Sequence, residues 1–142
     1  MRQDKVHRLA DSAGPVTTPR DQSDSSPSRP RIAVVVPCLN EAAAIAKVVA
    51  DFRAALPTAE VFVFDNASTD DTSGVAAAAG ATVRREPRPG KGHVVRRMFA
   101  DVDADIYVMV DGDDTYDAAA APGMVEMLLR ERLDMVVGAR DD

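Results

Sequence analysis

The sequence predicts an α/β domain in which helices cover both faces of a parallel β-sheet. Short apolar stretches alternate with longer helix-forming stretches over residues 31–142, and such alternation is typical of parallel strands joined by right-handed crossovers. Polar residues directly follow several of the apolar stretches, as expected where a ligand binds beyond the carboxyl ends of parallel strands. With 142 residues, 46% hydrophobic and 28% charged, the chain is long enough for one domain with a substantial core.

The first thirty residues differ in composition from the rest. They contain five Ser and four Pro and show no apolar periodicity, so too little apolar surface is available to offset the entropy of ordering them. We predict a disordered leader over residues 1–30, followed by the domain at 31–142.

The first half of the domain is predicted to form two strand–helix units. An uninterrupted apolar run at 32–36 is typical of a buried strand, and the Ala-rich stretch 41–56 favours a helix. The Val-Phe-Val-Phe run within 61–65 indicates a second strand that ends in a carboxylate. Asp, Asp and Thr then open a second helix over 70–79, where acidic and hydroxyl residues suit a helix N-terminus.

The second half continues the alternation. A short strand is predicted at 81–84, and a helix at 91–100 begins after a Gly-rich turn. The run Ile-Tyr-Val-Met-Val at 106–110 indicates a further strand. A helix over 118–132 and a last short strand at 135–137 complete a predicted five-stranded sheet.

Charge and cysteine usage exclude several classes of protein. The net charge of −6 and the pI near 4.9 argue against a nucleic-acid-binding surface, which must neutralise phosphates. The single cysteine, Cys38, cannot form an internal disulfide, which fits a reducing cytoplasmic setting. No stretch approaches the roughly 20 apolar residues that span a bilayer, and no signal peptide is recognisable. We therefore expect a cytoplasmic location, with any membrane association at the inner face.

The most informative residues are the carboxylates Asp111, Asp113 and Asp114, which follow the strand at 106–110. Carboxylates this close repel one another unless a cation lies between them. Oxygen ligands suit Mg²⁺ or Mn²⁺, which keep several waters and bridge to a substrate phosphate. The pattern therefore predicts a metal held by Asp111 and Asp113 against a phosphorylated ligand, the alternative being a solvated acidic turn.

Two further polar segments are expected at the same edge of the sheet. Pro37 ends a strand and directs the following loop, with Asn40 and Glu41, over that edge; Glu41 also suits a helix N-terminus for purely structural reasons. Asp65 ends the next strand, where it either accepts hydrogen bonds from a ribose or base, or forms an Asx turn.

Lys91 lies between two glycines at the start of a predicted helix. Exposed helix amides together with a cation suit a diphosphate. The spacing of the nucleoside-triphosphate loop is absent, so an ordinary Gly-flanked turn remains the alternative.

Four ordered segments resemble the family 2 inverting glycosyltransferases, and most closely their polyprenyl-phosphate branch, which includes dolichol-phosphate mannosyltransferase and bacterial undecaprenyl-phosphate sugar transferases. The segments are Val-Val-Val-Pro-Cys-Leu-Asn-Glu41, Asp65-Asn-Ala-Ser-Thr-Asp70, Gly90-Lys-Gly92 and Asp111-Gly-Asp113. The resemblance covers residues 31–140 and implies a Rossmann-like GT-A fold that binds a nucleotide-diphosphate sugar with Mg²⁺ or Mn²⁺.

The same resemblance assigns roles to individual residues. Pro37, Asn40, Glu41 and Asp65 would lie at the nucleoside and Lys91 near the diphosphate. Asp111 would contact the nucleotide sugar and hold the metal jointly with Asp113.

The sequence departs from the family pattern in two ways. Asn66 stands where a second acid often follows Asp65, which affects base recognition. The family also continues into an acceptor region with a catalytic base, so we expect the chain to be the N-terminal, donor-binding half, with the base beyond residue 142. The helix predicted at 118–132 should then expose apolar surface.

Two other classes of function fit part of the pattern. A strand followed by Asp111-Gly-Asp-Asp-Thr115 also resembles the haloacid-dehalogenase-like phosphatases, where Asp111 would be the nucleophile and Asp113 the general acid. That motif normally lies on the first strand of its domain, whereas here three predicted strands precede the strand that carries it. The third interpretation is an inactive fragment that binds a nucleotide sugar.

Overall fold

The computed structural model describes residues 29–138 and contains a parallel sheet of four strands within that range. The strands are β1 (Ile32–Cys38), β2 (Glu60–Asp65), β3 (Thr82–Arg85) and β4 (Ile106–Met109). They lie in the order β3-β2-β1-β4, and all neighbouring pairs are parallel. The predicted α/β class is confirmed, whereas nearly all of the predicted leader lies outside the described residues.

In the described part of the chain, four helices and one short turn connect and cover the strands. The helices are α1 (Ile45–Ala55), α2 (Thr72–Ala78), α3 (Lys91–Asp101) and α4 (Ala121–Arg130), and a 3₁₀ turn at Ala118–Ala120 precedes α4. None of the helices within residues 29–138 is both long and apolar enough to cross a bilayer.

The central strand β1 supplies side chains to both cores, because successive residues of a strand point to opposite faces. Val34 and Val36 pack beneath α1 and α2 in one cluster. Ala33 and Val35 pack in a second cluster with Val94 and Met98 of α3 and with Phe64. A strand that is buried on both faces needs apolar residues at every position, and this explains why residues 32–36 are all apolar.

The first helix begins four residues later than predicted, at Ile45 instead of Glu41. The preceding residues form a turn that is bonded to the segment after β2. The Glu41 amide donates to Thr72 Oγ1 at 2.9 Å, and the Ala42 amide donates to Asp70 Oδ2 at 3.1 Å. The prediction that Glu41 opens the helix was wrong: its carbonyl accepts from the Ala44 and Ile45 amides in a turn that leads into α1.

The strand predicted at 135–137 does not form. Met135 is 75% and Val137 77% exposed, and the segment pairs with no strand of the described chain. A strand is stabilised by its ladder partner and by burial, and a run of three apolar residues does not reveal whether either is present.

Helix α4 packs weakly. Ala121 is its one buried residue, while Met127 is 40% and Leu129 49% exposed. The expectation of uncovered apolar surface on this helix is confirmed.

A buried carboxylate fixes the loop between β3 and α3. Glu86 is fully buried, and its side chain accepts hydrogen bonds from the main chain and guanidinium of Arg88 and from Arg97 Nε at 2.9 Å. These bonds, those from Arg88 first, lower the pKa of Glu86 to about 2.

Replacing Glu86 by Gln should reduce the acid sensitivity of the fold. Because the folded-state pKa lies below the ordinary value of 4.5, the contribution of Glu86 is complete above about pH 4.5 and is lost as the pH falls towards 2. Urea denaturation across this pH range should show that the free energy of unfolding of the wild type approaches that of Glu86→Gln as the pH falls. The free energy of the exposed control Glu126→Gln should follow the wild type at every pH. A difference between the wild type and Glu86→Gln that does not change with pH would contradict the lowered pKa of Glu86.

Candidate functional site

A cleft of about 310 Å³ opens at the carboxyl edge of the sheet, between the ends of β1 and β4. The chain passes from β1 to β2 and β3 on one side and then crosses to β4 on the other side of β1. Crossovers therefore diverge at this point, which is where open α/β sheets bind ligands. The cleft is lined by Pro37, Cys38, Leu39, Glu41, Asn66, Gly90, Lys91, Val94, Asp111, Gly112 and Asp113.

Pro37 helps to separate the end of β1 from the end of β4. The Val35 carbonyl accepts from the Val110 amide, whereas the Cys38 carbonyl accepts from Asn66 on the β2 side. Since hydrogen-bonding groups alternate along a strand, residue 37 faces β4. Proline has no N–H to donate, and the pairing of β1 with β4 ends at Val35 and Met109. The strand ends part beyond this point, and the cleft occupies the gap.

Gly112 brings the two predicted metal ligands against the end of β1. A Cβ atom at this position would lie 2.5 Å from the buried Cys38 Sγ and 3.4 Å from Glu41 Cγ. Only glycine permits this close approach. The backbone between Asp111 and Asp113 thus lies directly over β1, and both residues line the cleft.

Lys91 supplies the cation nearest to Asp111. It is the first residue of α3, and its Nζ donates to Asp111 Oδ1 at 2.9 Å. This bond raises the pKa of Lys91. The repulsion expected among the carboxylates is therefore relieved at Asp111 by a side chain of the protein itself. Asp113 accepts from the Thr115 amide and from Thr115 Oγ1 at 2.7 Å.

Glu41 is a third carboxyl group in the cleft. Partial burial raises its pKa, and the charges of Asp113 and Asp111 raise it further. Within residues 29–138, no three His, Cys, Asp or Glu side chains are arranged to hold a metal ion. Asp111 and Asp113 instead fit an ion such as Mg²⁺, which commonly takes one or two carboxylates and completes its shell with water and substrate phosphate.

The structure gives two of the predicted nucleoside contacts internal roles. Asn40 Oδ1 accepts from the Thr69 amide at 2.8 Å and joins the loops after β1 and β2. Asp65 is 1% exposed, and its carboxylate accepts from the Ser68 amide at 3.0 Å and from Ser73 Oγ. Both residues lie at the predicted edge of the sheet but not on the wall of the cleft.

The third acid of the cluster turns away from the cleft. Asp114 adopts a left-handed backbone conformation and forms an ion pair of 3.2 Å with Lys47 of α1. It lines a separate hollow of about 500 Å³ between α1 and residues 114–119. That hollow is larger, but the cleft is the better candidate because it combines Asp111 and Asp113 with Lys91.

Cys38 lines the cleft as an inert thiol. Burial first, and then the surrounding carboxylates, raises its pKa to about 12, so it stays protonated at neutral pH. Its contact with Gly112 was not predicted from the sequence. Asn66 was singled out only for base recognition and not as part of the wall; its position directly after a strand-ending Asp was the available signal.

The chain matches the model of the family described as "Glycosyl transferase family 2" over residues 33–142. It is 63% identical over 111 residues to Protein RfbJ of Shigella flexneri, an alignment that covers 78% of this chain and 86% of RfbJ. It is 39% identical over 115 residues to Glycosyltransferase AglJ of Haloferax volcanii, with 80% of this chain and 37% of AglJ aligned.

The structure is similar to glucosyl-3-phosphoglycerate synthase from Mycobacterium tuberculosis. For the crystal structure in complex with Mn²⁺, UDP and phosphoglyceric acid, the TM-score is 0.64 at 35% identity. The similarity covers 70% of this chain but only 39% of that protein. The fold is therefore of the GT-A type that the resemblance implied, and this chain belongs to glycosyl transferase family 2.

Proposed function

We propose that the cleft binds a nucleoside-diphosphate sugar together with Mg²⁺ or Mn²⁺, as the donor site of a glycosyl transfer. The observation that carries this proposal is the convergence of Asp111, Asp113 and Lys91 on one cleft where the crossovers diverge. Two carboxylates for a metal and one ammonium for phosphate oxygens are what a metal diphosphate requires.

Each residue then has a distinct task. Asp111 and Asp113 would hold the ion, which would supply positive charge beside the leaving diphosphate. Lys91, now paired with Asp111, is placed to exchange this partner for a diphosphate oxygen. Pro37 and Glu41 border the cleft on the β1 side, where the nucleoside would lie, and Asn40 and Asp65 hold the adjoining loops in place.

Structural relatives support the choice of ligand. The mycobacterial synthase has been crystallised with Mn²⁺ and UDP-glucose and also with Mg²⁺ and UDP. Both metals are among those that the donor set of this cleft fits.

We propose further that the sugar is transferred with inversion to polyprenyl phosphate, at the cytoplasmic face of a membrane during cell-envelope biogenesis. The motif resemblance supports this acceptor. A lipid phosphate is already an anion, so it needs little deprotonation before a direct displacement. Residues 31–142 would serve as the donor-binding domain, with the base supplied from outside it.

The phosphatase interpretation has less support. The acidic motif follows the fourth strand within residues 29–138, and the family match favours a transferase. A phosphatase would hydrolyse p-nitrophenyl phosphate and lose that activity in Asp111→Asn. We expect no hydrolysis even from the wild type.

Transfer from UDP- and GDP-sugars to undecaprenyl phosphate in Mn²⁺ tests the proposal. We expect the 142-residue protein to bind donor without transferring sugar, and a fusion to the downstream half of a longer relative to be active. Robust transfer by the 142-residue protein would show that the base lies within it. Donor binding without transfer by either protein would favour the inactive-fragment interpretation.

A further inference from the structure

Asn66 connects β2 to the segment between β3 and α3, here called the 86–90 loop. It directly follows β2 and is 7% exposed. Its Nδ2 donates to the Glu86 carbonyl at 3.0 Å and to the Arg88 carbonyl at 2.7 Å. Its Oδ1 accepts from the Gly90 amide at 3.1 Å. The carboxamide therefore uses both donor hydrogens and its acceptor on the main chain of one loop.

The 86–90 loop takes donors from outside because it supplies few of its own. Residues 87 and 89 are proline and have no N–H. The carbonyls of Glu86 and Arg88 alternate with these prolines, and Asn66 is the partner that both share. A carboxylate at position 66 would accept from Gly90 but donate to neither carbonyl. The amide is thus specifically suited to this position, where the family often has an acid.

The end of the 86–90 loop determines the position of Lys91, the first residue of α3. Gly90 has φ of +116° and immediately precedes Lys91, whose Nζ lies 2.9 Å from Asp111. The hydrogen bond from Gly90 to Asn66 is one residue away from this lysine. We propose that Asn66 is a positioning residue: by tethering the 86–90 loop it holds Lys91 at the cleft and so sets the affinity for a metal diphosphate. This inference rests on the proposed function.

A double-mutant cycle tests the inference. Asn66→Ala and Asn66→Asp are made in the wild type and in Lys91→Ala, and affinity for UDP and GDP is measured by calorimetry in saturating Mn²⁺. Each Asn66 variant should weaken binding about tenfold in the wild type, but by less than about twofold in Lys91→Ala, because Asn66 acts through that lysine. Asn66→Asp retains the acceptor for Gly90 but sets a carboxylate against the Glu86 and Arg88 carbonyls, so it should lose at least as much nucleotide affinity as Asn66→Ala.

Mn²⁺ binding without nucleotide, measured by electron paramagnetic resonance, separates positioning from a general structural role. The affinity of Asn66→Ala for Mn²⁺ should not fall by more than about twofold, because Asp111 and Asp113 are untouched and a displaced Lys91 would only free Asp111 from its ion pair. The control Tyr107→Phe, which removes a hydrogen bond to the Val102 carbonyl near the start of β4, should leave both affinities unchanged.

The outcomes are distinct. Parallel losses of Mn²⁺ and UDP affinity, equal losses in both backgrounds, or no loss at all would overturn the positioning role while leaving the donor site in place. Failure of the wild type to bind UDP or GDP would instead overturn the proposed function, and this inference with it.

Discussion

Asp113→Asn is expected to abolish metal-dependent nucleotide binding without unfolding the protein. Loss of a direct ligand should cost more than the roughly 10–100-fold that loss of an outer-shell partner costs at a metal site. The fold should persist because Asn keeps an oxygen that accepts from the Thr115 amide and hydroxyl. Removing one negative charge near Glu41 should also relieve repulsion.

Asp114→Asn is the matched control, since it makes the same change one residue further along. Asp114 pairs with Lys47 outside the cleft, and Asn tolerates its left-handed backbone. Calorimetry with UDP and GDP should show near wild-type affinity for this variant. Equal losses at both positions, or a large fall in the melting temperature of metal-free Asp113→Asn, would favour an acidic turn with a structural role.

Gly112→Ala should have the second large effect, on stability and binding together. The added Cβ would meet the sulfur of the buried Cys38 at 2.5 Å, so either this side chain or the glycine backbone must shift. Overpacking of this kind costs about 1–3 kcal/mol. We expect the clash to move the Asp111–Asp113 backbone away from β1 or the Cys38 sulfur into the cleft, and either shift should lower the affinity for metal and nucleotide.

The clash can be tested by removing its other partner. In the double variant Cys38→Ala/Gly112→Ala the sulfur is absent, and most of the lost stability and binding should return. We expect a coupling energy of about 1 kcal/mol or more in urea denaturation. Gly123→Ala, which has no neighbouring atom within 4 Å of its added Cβ, should be harmless. Additive effects at positions 38 and 112 would show that the contact is not the cause.

Much of the fold was predictable because it depends on local pattern. The apolar runs that became β1, β2 and β4 each end in residues of the cleft or its supporting loops, and parallel strands bring their carboxyl ends to one edge. Asp111, Asp113, Glu41 and Lys91 were therefore expected together from their positions after strands or before a helix, and the structure brings them together.

The remaining features depend on partners that are distant in the sequence. Asn40 bonds to Thr69, and Asn66 to the 86–90 loop, so neither role is visible in a local window. The contact of Gly112 with Cys38 likewise requires β4 to lie beside β1. The strand at 135–137 was wrongly predicted for a related reason: its apolar residues suit a strand, but whether a neighbouring strand pairs with them is not a local property.

Calorimetric titration of the wild type with UDP and GDP, once with Mg²⁺ or Mn²⁺ and once with EDTA, tests the central claim most directly. The claim is that Asp111 and Asp113 bind the diphosphate through a divalent ion. One of the two nucleotides should bind in the presence of metal, and its affinity should fall by about tenfold or more when EDTA removes the ion. Equal affinity with and without metal would contradict the metal role of both carboxylates.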